Sequence, residues 1–268
     1  MKHSSPAEPT TPEPAALPVV PPTPTVAATV FGPRLDVAEA YVALLADTGI
    51  SHGLIGPREA PRLWDRHVLN SAVVQPVFAE GARVADIGSG AGLPGIPLAI
   101  ARPDLRMVLV EPLQRRTIWL TSTIQALGLT NVEVHRGRAE SLWGAERFRH
   151  VTARAVARTG ELARITLPLL AAGGSLQALK GESAATELDE DAALLRSLGA
   201  SRWSVSRFGA GIVDPETVVL SVEVDAMVDV PSAHRSGSRP GSTRGSRTSS
   251  RRAGTGSGSR TRRSRDDR

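Results

Sequence analysis

The sequence predicts an α/β fold: a mostly parallel, seven-stranded sheet with helices on both faces and an N-terminal helical extension. Three observations predict it. From Arg83 onward, short apolar runs alternate with stretches of helical periodicity, the pattern of β-α-β units. One run, Val84-Ala85-Asp86-Ile87, empties into four glycines within eight residues, Gly88, Gly90, Gly92 and Gly95. Before Arg83 the apolar spacing is helical only.

Residues 1–30 are rich in Pro, Ala, Thr and Val, and are expected to form a disordered leader. Prolines interrupt each apolar stretch there, so no signal-type segment is expected, and no run approaches a membrane span. Val37, Ala40, Tyr41, Leu44, Leu45 and Thr48 share one helical face. Pro61 is placed to open a further helix carrying Leu63, Trp64, His67, Val68 and Ser71. Strands are expected at 83–87, 106–110, 132–135, 151–153 and 175–179, with helices near 95–101, 113–127 and 159–170 between them. Turns are expected at 102–104, at 128–131 and at Gly173-Gly174. A helix over 182–198 and the runs 203–208 and 217–224 complete the sheet as a closing hairpin. Residues 231–268 are a Ser/Gly/Arg tail of low complexity. The expected organisation is therefore a leader (1–30), a folded domain (31–230, its helical extension ending at 80) and a tail (231–268).

The hydrophobic fraction of 41% supports a core, and with only nine aromatic residues that core must be aliphatic. There is no cysteine, which excludes disulfides, thiolate metal sites and a cysteine nucleophile, and fits a reducing cytoplasm. The net charge of +5 is unevenly placed. The tail carries eleven arginines against Asp266 and Asp267, whereas residues 31–230 carry 20 basic against 23 acidic residues. The basic character therefore belongs to the tail.

Glycines after a strand let the backbone turn sharply and present free N–H groups to a ligand at a helix start. A dinucleotide fingerprint is G-x-G-x-x-G, but Leu93 stands at its third glycine. The run reads D-x-G-x-G-x-G, which resembles the first motif of S-adenosylmethionine (SAM) methyltransferases. Gly88 and Gly90 are accordingly candidate cofactor contacts. Glu111 ends the second strand, about twenty residues on, where an acid accepts hydrogen bonds from ribose hydroxyls. Ala139 and Glu140, after the third strand, are placed to meet an adenine ring with a backbone N–H and an acceptor. Arg154, after the fourth strand, suits a phosphate, the methionine carboxylate of SAM or the O6/N7 edge of guanine. Arg136, Arg138, Arg158 and Lys180 converge on the same sheet edge. Taken singly each is a surface charge; together they form a candidate RNA-contacting set.

Other chemistries are excluded. The six histidines form no HExxH or close pair, no metal site is expected, and His67 reads as a packing or capping residue. Ser89 is not in G-x-S-x-G, because Ile87 stands at the first glycine. The Asp/Asn-Pro-Pro-Tyr/Phe motif of many amino-group methyltransferases is missing after the fourth strand.

Five stretches, in order and with their spacing, resemble the small-subunit ribosomal RNA methyltransferase family RsmG (GidB). They are Trp64-Asp65-Arg66-His67-Val68-Leu69-Asn70-Ser71, the run Asp86 to Pro97, Gly137-Arg138-Ala139-Glu140, Ala153-Arg154-Ala155-Val156-Ala157 and Leu179-Lys180-Gly181. The resemblance spans about residues 35–225 and rests most on Leu93-Pro94-Gly95-Ile96-Pro97 and Arg154-Ala155-Val156-Ala157. It implies the Rossmann-like class I SAM-dependent methyltransferase fold, with the cofactor on Gly88, Leu93, Ala139, Glu140 and Arg154. It further implies methyl transfer to N7 of a guanine in the 530 loop of 16S ribosomal RNA, free or in a small-subunit assembly particle. A monomer in the cytoplasm is expected, without metal or membrane. Guanine N7 carries a lone pair and no proton, so no catalytic acid or base is expected. Two alternatives remain at this stage: a small-molecule SAM methyltransferase, and a non-catalytic RNA-binding protein that uses the basic tail.

Overall fold

The computed structural model describes residues 20–231. Helices α1 (Val26–Phe31) and α2 (Leu35–Leu44) come first, and α2 continues as a π-helical turn over Leu45–Gly49. A 3-10 segment, Pro57–Arg62, leads into a second π-helical stretch, Leu63–Leu69, and the short helix α3 (Asn70–Ala72). The α/β part follows as β1 (Arg83–Ile87), α4 (Gly95–Ala101), β2 (Arg106–Glu111), α5 (Gln114–Ala126) and β3 (Val132–Arg136). It continues with β4 (Phe148–Arg154), α6 (Thr159–Thr166), β5 (Leu170–Lys180), α7 (Ala184–Ser197), β6 (Arg202–Phe208) and β7 (Thr217–Glu223).

The sheet runs β3-β2-β1-β4-β5-β7-β6, parallel except for β7, which is antiparallel to both neighbours. The chain winds outward from β1 to β3, then returns to lay β4 beside β1. The connections leaving β1 and β4 therefore diverge and open a crevice at their carboxyl ends, where ligands bind in such sheets. Alternate residues of β1 enter two cores. Val84 joins Tyr41, Leu45, Trp64, Leu98 and Trp119 on one face, while Ala85 and Ile87 join Phe148, Leu162, Leu167 and Leu195 on the other. Burial on both faces is why these strands read as continuous apolar runs.

Four expectations change. The leader expected to be disordered over 1–30 is ordered in its last part, since Ala27, Val30 and Phe31 lie at helical spacing and α1 buries them in the core. Gly173-Gly174 is not a turn but part of β5. A Cβ on Gly174 would stand 2.8 Å from the Ala171 carbonyl oxygen, and the Gly174 carbonyl accepts the Val224 N–H at 3.0 Å. Glycine there permits close backbone approach. Pro61 lies inside the 3-10 segment, and the helical stretch begins at Leu63. β4 starts at Phe148, three residues earlier than expected, through an irregular register between Phe148 and His150. The first 19 residues of the leader and the tail after Pro231 lie outside the described residues.

Candidate active site

Strand register assembles the site. Ile87 pairs with Val110 on one side and Ala153 on the other, Glu111 pairs with Arg136, and Arg154 pairs with Leu179. One row across the carboxyl edge thus holds Arg136, Glu111, the glycine loop and Arg154.

The loop leaves β1 through Gly88, Gly90 and Gly92, all at positive φ (70°, 56° and 89°), a region that L side chains rarely adopt. A Cβ on Gly92 would stand 2.4 Å from Ile96 Cδ1, and one on Gly88 would stand 3.0 Å from Val156 Cγ2. Below the loop, Asp86 is fully buried. Its Oδ2 accepts the Gly95 N–H at 3.1 Å, which ties the strand end to the start of α4. Its Oδ1 has no hydrogen-bond partner among the described residues. Burial pushes the Asp86 carboxyl up to about 7, against the opposing hydrogen bond from Gly95. From α2, the buried Tyr41 hydroxyl donates to the Ala91 carbonyl at 2.8 Å, so the helical extension braces the loop directly. Leu93 is buried in the core on that same face.

Glu111 is 1% exposed, and its carboxylate faces the loop. Oε2 accepts the Gly90 N–H at 3.0 Å, Oε1 accepts the Leu113 N–H at 3.0 Å, and Arg116 lies 3.5 Å from Oε2. Beyond β3, the Gly137 N–H donates to the Glu111 carbonyl at 3.2 Å, which holds the segment carrying Ala139 and Glu140 against the end of β2. Ala139 is buried and opens a 3-10 turn.

Arg154 is partly buried, and the extension holds it. One terminal nitrogen donates to His67 Nδ1 at 2.8 Å; the other donates to Ser71 Oγ at 3.2 Å and to the His67 carbonyl at 3.4 Å. No carboxylate lies within ion-pair distance of it among the described residues. All its hydrogen-bond acceptors are neutral, so its charge stays available at the crevice. Arg154 also lines a cleft of about 380 Å³ with Arg62, Arg66, Asn70 and Asp214.

The four candidate RNA contacts separate. Arg136 and Arg138 are exposed beside β3, three strand spacings or roughly 14 Å from β4. Arg158 is exposed but pairs with Glu190 at 2.6 Å. Lys180 departs from expectation: its side chain is 10% exposed, and its ammonium bonds the Ala157 carbonyl (2.7 Å) and Glu187 (2.8 Å). It anchors the loop after β4 to α7 instead of facing outward. Tyr41 and Arg116 were not among the expected site residues, nor was Glu59, whose Oε2 lies 2.8 Å from His67 Nε2. His67 and Ser71 lie in the Trp64–Ser71 stretch already singled out, but their contact with Arg154 has no local signal. Among the described residues, no cluster of His, Cys, Asp and Glu is suited to a metal ion, and no helix is long and apolar enough to cross a membrane.

The residues present fit SAM: a loop whose backbone at 88, 90 and 92 disfavours side chains, an acid ending β2, and an arginine with no carboxylate partner among the described residues. Strand order and site together define a class I SAM-dependent methyltransferase. The family described as "GidB: rRNA small subunit methyltransferase G" matches residues 34–216, and the chain belongs to that family. It is 51% identical over 196 residues to Ribosomal RNA small subunit methyltransferase G of Arthrobacter sp. (strain FB24), covering 73% of this chain and 91% of that protein. The protein of that name from Streptomyces avermitilis is 52% identical over 206 residues, 76% of this chain and 87% of the relative. The Corynebacterium efficiens protein of that name is 48% identical over 224 residues, 82% and 96% of the two chains.

Proposed function

We propose that this protein methylates small-subunit ribosomal RNA, transferring the methyl group of SAM to N7 of one guanine in the 530 loop of 16S RNA. It acts in the cytoplasm as a monomer, on the free RNA or on an assembly particle. Family membership supports the rRNA substrate. The structural observation that carries the reading is the contact of Gly90 with Glu111, which sets an acid beside a glycine loop at the divergence of β1 and β4.

When bound, SAM supplies a methyl group on a sulfonium, with a neutral thioether as leaving group. Guanine N7 presents an in-plane lone pair and no proton, so no side chain has to remove one before attack. The protein's contribution is placement and exclusion of water, worth about 7–11 kcal/mol in well-oriented reactions. Glu111 accepts the ribose hydroxyls, Ala139 and Glu140 meet the adenine edge, and Gly88, Gly90 and Leu93 shape the floor. Arg154 offers its unpaired charge to the carboxylate end of the cofactor. Arg136, Arg138 and Arg158 take RNA phosphates, contacts that weaken with salt.

Mass-spectrometric mapping of 7-methylguanosine in 16S RNA, with and without the gene for this protein, tests the reading. The modified guanine in the 530 loop should vanish without the protein and return when it is restored. An unchanged modification would sink the proposal.

A further inference from the structure

We propose that His67 is a positioning residue for the cofactor site: it orients Arg154 by accepting its hydrogen bond at Nδ1. This rests on the reading of Arg154 as a cofactor contact and adds how the helical extension controls it.

Partner chemistry assigns the imidazole tautomer. Arg154 has only donors, so Nδ1 at 2.8 Å from its terminal nitrogen must be the unprotonated, accepting nitrogen. The proton then sits on Nε2, which donates to Glu59 Oε2 at 2.8 Å. Glu59 orients the ring, and the ring orients the guanidinium. Ser71 and the His67 carbonyl supply the remaining acceptors, so one π-helical stretch and the residues after it form the whole cradle. Every member of this cradle comes from outside the α/β sheet, yet Arg154 ends β4 beside the glycine loop. A buried guanidinium without these acceptors would carry unmet donors, and it would swing toward solvent or toward Asp86.

Protonation of His67 would convert its acceptor into a donor pointing at Arg154. Arg154 from β4 and Arg66 from the same stretch oppose that charge, Glu59 from the 3-10 segment favours it, and Arg62 acts on Glu59. Tyr41 and Asp86 face Arg154 from α2 and β1. Burial and the Arg154 charge hold His67 below the usual imidazole range, so the neutral, accepting form is the resident state at neutral pH.

The test is SAM affinity of the full-length protein by calorimetry between about pH 5 and pH 8, together with melting midpoints. Three variants are compared. His67→Asn places an amide oxygen where Nδ1 stands and cannot titrate. His67→Gln places its amide at the Nε2 position and leaves Arg154 without that acceptor. Arg154→Gln removes the group being positioned. The expected result is near-wild-type affinity for His67→Asn at neutral pH and about a tenfold loss for His67→Gln, with similar midpoints for the two. Wild type should weaken on the acid side of neutrality, and His67→Asn should lack the part of that decline due to His67. If Arg154→Gln binds weakly but His67→Gln matches wild type, the positioning role is overturned and the cofactor reading stands. If Arg154→Gln itself binds like wild type, the reading of Arg154 as a cofactor contact falls, and this proposal with it.

Discussion

The Glu111 carboxylate accepts the Gly90 N–H at 3.0 Å, so the end of the second strand and the turn of the glycine loop form one rigid unit. The same carboxylate holds the Leu113 N–H, and each of its oxygens has a second lone pair that can accept a hydroxyl. Glu111→Gln keeps the shape but removes the charge from these bonds, which are worth about 1.5–3 kcal/mol each when one partner is ionised. SAM affinity should fall about tenfold or more by calorimetry. Wild-type affinity in this variant would remove Glu111 from the cofactor site.

Two glycines of the loop should fail differently. A side chain at Gly92 would meet Ile96 Cδ1 at 2.4 Å inside the core, so Gly92→Ala should lower the melting midpoint, at a cost of about 1–3 kcal/mol for the strained backbone alone. At Gly88 the nearest atoms that a Cβ would meet among the described residues belong to the exposed Val156, so Gly88→Val should abolish SAM binding with a smaller loss of stability. Normal SAM binding by Gly88→Val would show that the loop does not floor the cofactor.

Asp86 makes a pH prediction with a definite sign. Its carboxyl titrates at about 7 when folded, against an ordinary value of 3.8. Between those two pH values the folded protein holds a proton that the unfolded chain has lost. Its contribution to stability is complete below the unfolded value and declines as pH rises through about 7. Asp86→Asn keeps an acceptor for the Gly95 N–H and cannot ionise. The melting midpoint of this variant relative to wild type should therefore rise from pH 4 to pH 8 and then level off. A flat difference would mean that Asp86 ionises normally in the fold.

The tail should act through charge alone. With eleven arginines against two acids in 231–268, it adds counterion-releasing contacts to any RNA it meets. Deleting these residues should leave SAM affinity unchanged and reduce the dependence of the methylation rate on salt. An identical rate and salt slope would leave the tail with no part in RNA binding.

Much of the sheet was legible because parallel strands buried on both faces read as short apolar runs, and helical spacing between them marks the crossovers. The glycine loop was legible for a similar reason: positive φ at 88, 90 and 92 selects glycine whatever surrounds it. Gly173-Gly174 misled because close backbone approach within a strand and a turn select the same residue. Lys180 misled because its partners, Ala157 and Glu187, come from other elements and leave no local trace.

The sequence by itself determined the strand order's raw material, the loop, the acid that ends β2 and the family, since each is written in local spacing or in contiguous motifs. Only the tertiary structure decided what those residues touch. Arg154 is held by His67 and Ser71 from 87 and 83 residues away, and Tyr41 braces Ala91 across 50 residues. Those contacts arise because one apolar face of the helical extension must bury itself on the sheet. That burial, and not any local propensity, delivers its polar groups to the site.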